Sequence, residues 1–196
     1  MNVWGFDLAT RVGVALGEPP GEDLSKLKSY TVNLRNNREE DVYDLSFNFR
    51  QFLIDLTRFG DYPDLIAAEA PIPINADMRD GRPRNAESLL LPPLLVSRLR
   101  DLCKAKRIRF ELLWPASIRS GFIDKKNAGE RAKTKASVLD RCKQWGYLPE
   151  ACKDDNRGDA VAVWHYAQIK FGRWQPPGEI LFGKRVTLAT QIGGGL

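Results

Sequence analysis

The stretch Asp64-Leu65-Ile66-Ala67-Ala68-Glu69-Ala70-Pro71 places the tightest limit on the fold of this chain. Leu65 to Ala68 form a nearly continuous apolar run that Pro71 stops, and a run of that kind suits a strand buried on both faces. A sheet with such a strand at its centre needs covering layers. Strand patterns precede it at residues 2–8, 11–17 and 27–34: a tight turn at Asp7 joins the first two, and the proline-bearing segment Gly17 to Gly21 follows the second. Residues 39–59 read as a helix with Val42, Leu45, Phe49, Phe52, Leu53 and Leu56 on one face and Glu39, Glu40 and Asp41 charging its first turn. Pro92 and Pro93 interrupt an apolar run, so the next helix is expected from Pro93 to about residue 105, with Leu95, Leu99 and Leu102 inward. A strand at 108–113 follows, then Trp114-Pro115-Ala116-Ser117-Ile118-Arg119. Residues 124–135 are basic and lack an apolar period, hence a loop; residues 135–145 form a helix with Val138, Leu139, Cys142 and Trp145 on one side, ended by Gly146. This order indicates an α/β domain whose antiparallel start leads into parallel strands.

Three segments carry acids in positions of interest. Asp7 follows the first apolar strand pattern, and Glu69 closes the buried run, where a charge is expensive unless solvated or paired. The third is Lys153-Asp154-Asp155-Asn156-Arg157-Gly158-Asp159, after which Ala160, Val163, Trp164, Ala167 and Phe171 recur at the spacing of a buried helical face. If the helix begins near Asp155, then Asp155, Asn156 and Asp159 share one side. Hard oxygen ligands grouped in this way suit Mg²⁺ or Mn²⁺. The same residues also make good helix N-caps; Asp7 alone suits a turn, and Glu69 alone a surface ion pair. Together, two strand-end acids and a helix-end cluster can converge where ligands collect in open sheets, on a pair of divalent ions clamping the attacking and leaving oxygens of a phosphodiester displacement.

Composition narrows the alternatives. A 196-residue chain that is 43% hydrophobic can bury a full core as one domain, and no stretch is long and apolar enough to cross a bilayer, which reads as a cytoplasmic protein. Cys103, Cys142 and Cys152 are widely spaced, which argues against a disulfide framework or a zinc site, and the single histidine, His165, falls round toward another helical face from Asp159. Histidine-based triads therefore lose most of their support. Residues 1–78 carry 7 basic and 13 acidic side chains, whereas residues 79–135 carry 15 and 6. That basic band, with Arg79, Arg82 and Arg84 in a polar loop, fits phosphate contacts around an acidic centre, although a solvated basic surface would look the same. Gly178-Glu179-Ile180-Leu181-Phe182-Gly183-Lys184-Arg185 nearly matches a phosphate-binding loop but has Arg185 where the motif needs a hydroxyl.

The order of these pieces resembles the RuvC-like Holliday junction resolvases of the RNase H-like superfamily. The matching segments are Gly5-Phe6-Asp7-Leu8-Ala9-Thr10-Arg11-Val12-Gly13, Ile66-Ala67-Ala68-Glu69 and Asn156-Arg157-Gly158-Asp159-Ala160-Val161-Ala162, with Lys133-Thr134-Lys135-Ala136-Ser137-Val138 as the basic entrance to the penultimate helix. The likeness spans about residues 2–171. It implies an RNase H-like nuclease domain over residues 1–172 with a C-terminal extension at 173–196, its mixed sheet starting with three antiparallel strands. It further implies a Mg²⁺-dependent endonuclease, with Mn²⁺ able to substitute, commonly a homodimer, that nicks two strands of a four-way DNA junction. Asp7, Glu69 and Asp159 would bind metal, and the remaining ligand position falls on Asn156, with Asp155 as its substitute. Arg11, Arg79, Arg82, Arg84, Arg119, Lys133 and Lys135 would meet DNA phosphates.

The chain departs from the family's pattern in three places: Asn156 stands where Asp or His is usual, the first turn lacks Pro-Gly after its acid, and Ile72 replaces a frequent aromatic. These departures resemble phage-encoded relatives. A nuclease acting on RNA/DNA hybrids or RNA, an ATP-using member of the related actin and sugar-kinase fold, and a junction-binding protein with a degraded site are the rival readings, and Asn156 is the best argument for the last.

Overall fold

The computed structural model describes residues 1–19, 27–71, 86–123 and 131–176. Its elements run β1 (Val3–Asp7), β2 (Arg11–Gly17), β3 (Lys28–Asn33), α1 (Val42–Leu56), β4 (Leu65–Glu69), α2 (Ala86–Lys106), β5 (Arg109–Leu113), α3 (Pro115–Phe122), α4 (Arg131–Gln144) and α5 (Asp155–Gly172). The strands form one five-stranded sheet in the order β3-β2-β1-β4-β5. β1 pairs antiparallel with β2, and β2 with β3; β1 pairs parallel with β4, and β4 with β5. This is the mixed α/β sheet that the sequence indicates, with β4 next to the centre and buried on both faces.

Alternation along the strands divides the core in two. Val3, Ala15, Leu65, Ala67 and Leu113 pack with α3, α4 and α5, whereas Trp4, Phe6, Val12, Val14, Ile66 and Ala68 pack with α1 and α2. Continuing the same alternation by one residue puts Asp7 and Glu69 on the α5 face, at the carboxyl ends of adjacent parallel strands. α5 reaches this face because two glycines admit it. A Cβ added at Gly5 would lie 2.7 Å from the backbone nitrogen of Trp164, and one added at Gly13 would overlap the carbonyl oxygen of Asn156. The far end of α5 is tied down by Trp164 Nε1, which donates to the Gly17 carbonyl at 2.9 Å, and by Gln168 Nε2, which donates to the Met1 carbonyl at 3.0 Å.

Several boundaries differ from the sequence reading. α2 begins at Ala86 and carries Pro92 and Pro93 inside it, because its first turn is held from outside. Glu87 accepts from Thr10 Oγ1 at 2.9 Å and from Arg35 Nη2 at 2.6 Å, and Leu91 is buried, which offsets the two missing donors. α1 begins at Val42, not residue 39: Asp41 is its N-cap, accepting from the Tyr43 and Asp44 amides, with Asp44 closing the capping box. Residues 115–122, given no helix from sequence, form α3 with Pro115 in the first turn. α4 extends back to Arg131, into the expected basic loop.

α5 is buried nearly all round rather than along one stripe, since α3 and α4 cover its outer side with Val161, Ala162 and His165 enclosed as well. His165 bonds Tyr147 Oη through Nδ1 at 2.8 Å, and burial, aided by the charge of Arg141, lowers its pKa to about 3. It is a neutral core side chain. Cys103 and Cys142 are buried and free, as their helical positions suggest. The C-terminal extension expected from residue 173 starts packed: the Trp174 ring lies 5.7 Å from the Trp164 ring and 5.4 Å from that of His165. The near phosphate-binding loop at 178–185, Ile72 and the loop with Arg79, Arg82 and Arg84 lie outside the described residues. Among the described residues no helix is long and apolar enough to cross a membrane.

Candidate active site at the carboxyl end of the sheet

The three acid-bearing segments meet. β1 delivers Asp7 opposite Gly13, and β4 delivers Glu69 one residue beyond the Phe6–Ala68 pairing, so the two acids end neighbouring parallel strands. Over them lies the first turn of α5, whose N-cap Asp154 accepts from the Arg157 amide. That turn carries Asp155 and Asp159. Burial raises the Asp7 carboxyl well above its ordinary range, and the charges of Asp159 and Glu69, then Asp155, push it further, against an opposing pull from Lys135. Burial also raises Asp159, with Lys135 and Arg119 pulling the other way. Repulsion of this kind among buried carboxylates marks a place where positive charge would be stabilised.

Lys135 supplies part of that charge. Its Nζ lies 2.6 Å from Asp155 Oδ2 and 3.6 Å from Asp159 Oδ2. Burial by itself would lower the lysine, but the hydrogen bond to Asp155 and the charges of Asp159, Asp155 and Asp7 outweigh it, and the net direction is up. The same bond holds Asp155 below its ordinary value. Lys135, expected among the phosphate contacts, is therefore turned into the acids.

The chemistry of the donor set fits a hard divalent ion: carboxylate oxygens, partly buried, repelling one another and converging from three segments. As the side chains stand, no three of them among the described residues are drawn together tightly enough to grip an ion. Asp7, Glu69 and Asp159 are the residues that would hold one. Asp155 is engaged with Lys135, and Asn156 contributes its backbone to the contact over Gly13.

Of the expected DNA contacts, Arg119 on α3 is near enough to Asp159 to lower its carboxyl, and Arg11 is 61% exposed at the start of β2, 3.8 Å from Asp154. Arg79, Arg82, Arg84 and the side chain of Lys133 lie outside the described residues. Sequence reading passed over two features. Gly13 is the residue beneath the first turn of α5 and opposite Asp7, visible in sequence only as a glycine in a strand. Trp114 is 60% exposed at the end of β5, directly after Leu113, which pairs with Glu69. A tryptophan between a strand and a proline was the available signal.

Comparison with solved structures places the fold. RuvC of T. thermophilus in complex with Holliday junction substrate superposes with a TM-score of 0.57 at 14% identity, over 86% of this chain and 95% of that one. A second Thermus thermophilus RuvC structure gives 0.55 at 14% identity, over 88% and 97%. The yeast mitochondrial Holliday junction resolvase Ydc2 gives 0.53 at 20% identity, over 88% and 80%. No protein-family model and no curated protein matches the chain. The architecture is thus the RNase H-like fold of RuvC-type resolvases, carried by a sequence far from theirs.

Proposed function

We propose that this chain is a structure-selective endonuclease that resolves four-way DNA junctions by Mg²⁺-dependent hydrolysis of phosphodiester bonds. The observation that carries the reading is the meeting of Asp7, Glu69 and Asp159, from β1, β4 and α5, at one end of a sheet whose fold is that of junction resolvases. When bound, Mg²⁺, or Mn²⁺ in its place, would supply the charge that stabilises the attacking and leaving oxygens of the phosphodiester. The protein's own part is positional. β1 and β4 fix Asp7 and Glu69 on rigid strand ends, Gly13 lets α5 bring Asp159 down onto them, and the buried surroundings weaken competition from bulk water. Arg119 and Arg11, with Lys133 and the Arg79, Arg82 and Arg84 segment, would hold the phosphate backbone; such contacts orient DNA without reading its sequence.

A four-way junction is cut at two symmetric points, so the reading includes a homodimer. Tyr43, Phe47 and Ile54 are spaced along the outer side of α1 and exposed at 69%, 58% and 43%, a face that a second copy can cover.

The test is cleavage of a synthetic four-way junction with and without Mg²⁺, beside RNA/DNA hybrid and flap substrates. Asp7→Ala and Glu69→Ala should each abolish Mg²⁺-dependent nicking and retain junction binding; nicking retained by either purified variant defeats the assignment. Preference for hybrid would move the chain to an RNase H-type activity. A junction-binding protein with weakened cleavage is the second reading, favoured by the neutral Asn156 three residues before Asp159. It predicts junction binding with no Mg²⁺-dependent product.

A further inference from the structure

The basic band of the sequence does not all gather round the acids. β5 ends at Leu113, beside Glu69, and starts at Arg109, about 13 Å away by strand rise. α2 starts at Ala86, where Glu87 accepts from Thr10 in the turn after Asp7, and Lys106 lies about 28 Å further along its axis. α5 likewise opens over the acids and ends at Gly172. The far end of the sheet therefore collects Lys104, Lys106, Arg107, Arg109, Lys170 and Arg173, all exposed. Arg109 Cζ stands 4.6 Å from the centre of the Phe171 ring and Lys170 Nζ 5.2 Å from it, so two like charges share one ring. Glu111, 2.8 Å from Arg109, offsets one of them, and Asp64 is occupied by the Asn2 amide.

Two of these cations are held at a conformational cost. Among the described residues, the non-glycine positions with positive φ are Arg107, at 56°, and Arg173, at 53°, each directly after a helix. Glycine is the usual residue there. The helix dipoles do not explain the choice, because Lys104 and Lys106 already serve the last turn of α2, and Lys170 that of α5. Nor does protection of an edge strand, which accounts for Arg109 on β5 but not for charges on helix ends. Backbone kept in a sparsely populated region to present an exposed charge points to a ligand for that charge.

We propose that this far end is a second DNA-binding surface, taking the phosphate backbone of a duplex segment separate from the strands at the acids. The choice of DNA rests on the nuclease reading above. The rings at this end, Phe171 and Tyr62, lie beneath Arg109, Lys170 and Lys106, so the surface presents charge where a protein partner would need an apolar centre. Contacts of this kind hold duplex without regard to its sequence. A chain so equipped holds duplex at one end of the sheet while the other end works on a junction.

The experiment is fluorescence-anisotropy titration of a labelled linear duplex with the full chain, without divalent ions and over a range of salt. Arg107→Gly combined with Arg173→Gly suits both backbone conformations and should fold with an unchanged or higher melting temperature. It should reduce the slope of log affinity against log salt by about 1.8, the share of two phosphate contacts, and affinity at about 0.1 M salt by about sixtyfold. Arg109→Gln combined with Lys170→Gln, which leaves both turns alone, should do the same. Lys28→Ala, which removes an exposed charge from β3 at the opposite edge of the sheet, should leave the slope unchanged. A folded double variant of either pair with the wild-type slope overturns the proposal, as does a wild type that binds no duplex or a per-charge loss from Lys28→Ala equal to that of the pairs. If the glycine pair does not fold, the glutamine pair decides. Junction cleavage is scored separately: a wild type that holds duplex through these residues yet never nicks a junction with Mg²⁺ removes the nuclease reading and leaves this surface standing.

Discussion

Alanine at Gly13 would separate the pieces of the site without touching an acid. Gly13 pairs with Asp7 across β1 and β2, and the first turn of α5 rests on it. An added Cβ would lie 2.7 Å from the Asn156 carbonyl carbon and 3.0 Å from Ala160 Cβ, and closer still to the Asn156 oxygen. Carbon atoms settle at about 3.5 Å, so the two backbones must part by at least about 0.8 Å. β2 cannot easily yield, because Val12 and Val14 on either side are fully buried against α1 and α2, and the movement falls on α5. Asp159 is one residue from Ala160 and moves with it. Overpacking of this kind costs about 1–3 kcal/mol, which lowers Tm by about 2–12 °C in a chain of this size. A displacement near 1 Å among reacting groups costs about a hundredfold in rate. The assay is cleavage of a labelled four-way junction at saturating Mg²⁺, well below the melting point of the variant, paired with thermal melts. Gly158→Ala is the control: it too adjoins Asp159, but its Cβ meets only the Leu139 side chain at 3.3 Å and the Leu139 Cα at 3.7 Å. It should keep activity and gain up to about 1 kcal/mol from helix propensity. A folded Gly13→Ala that cleaves within about threefold of wild type would refute the claim that this close approach sets the catalytic geometry.

Other outcomes follow from the same geometry. Burial, then Asp159 and Glu69, hold the Asp7 carboxyl well above its ordinary 3.8, and a group raised on folding gives stability that is complete below its unfolded pKa and lost as pH rises through its folded one. Metal-free Asp7→Asn should therefore melt above wild type at neutral pH, by about 2–4 °C per kcal/mol of relieved repulsion, with the gap closing toward pH 4; equal melts across that range would refute the repulsion. Trp114→Ala should weaken junction binding by about 5- to 150-fold if the exposed ring stacks on a base, read by fluorescence anisotropy, and unchanged affinity would remove that role. If the proposed homodimer forms through the exposed side of α1, Phe47→Glu should sediment as a monomer under conditions in which wild type dimerises; a variant that still dimerises moves the interface elsewhere.

The acids that the fold brings to one end of the sheet stood out in sequence because each is a local anomaly: a charge ending an apolar run at Asp7 and Glu69, and a crowd of oxygens opening the helix of Asp159. The strands and most of α1 were legible for the same reason, since hydrophobic period is written into neighbouring residues. What failed was decided from outside the segment. Pro92 and Pro93 are a local veto on helix, and only Arg35 and Thr10, distant in sequence, hold Glu87 so that α2 can start before them. α3 is eight residues long, too short for its period to stand out. α5 reads as amphipathic in sequence yet is enclosed, because two further helices cover the side left for solvent. Lys135 shows the consequence for chemistry. In sequence it is one of several basic residues at a helix entrance, indistinguishable from a phosphate contact; only the packing of α4 on α5 turns its ammonium toward Asp155 and Asp159. Charge type was readable and charge pairing was not, because a residue's type is written in the sequence and its partner is chosen by the packing of two helices.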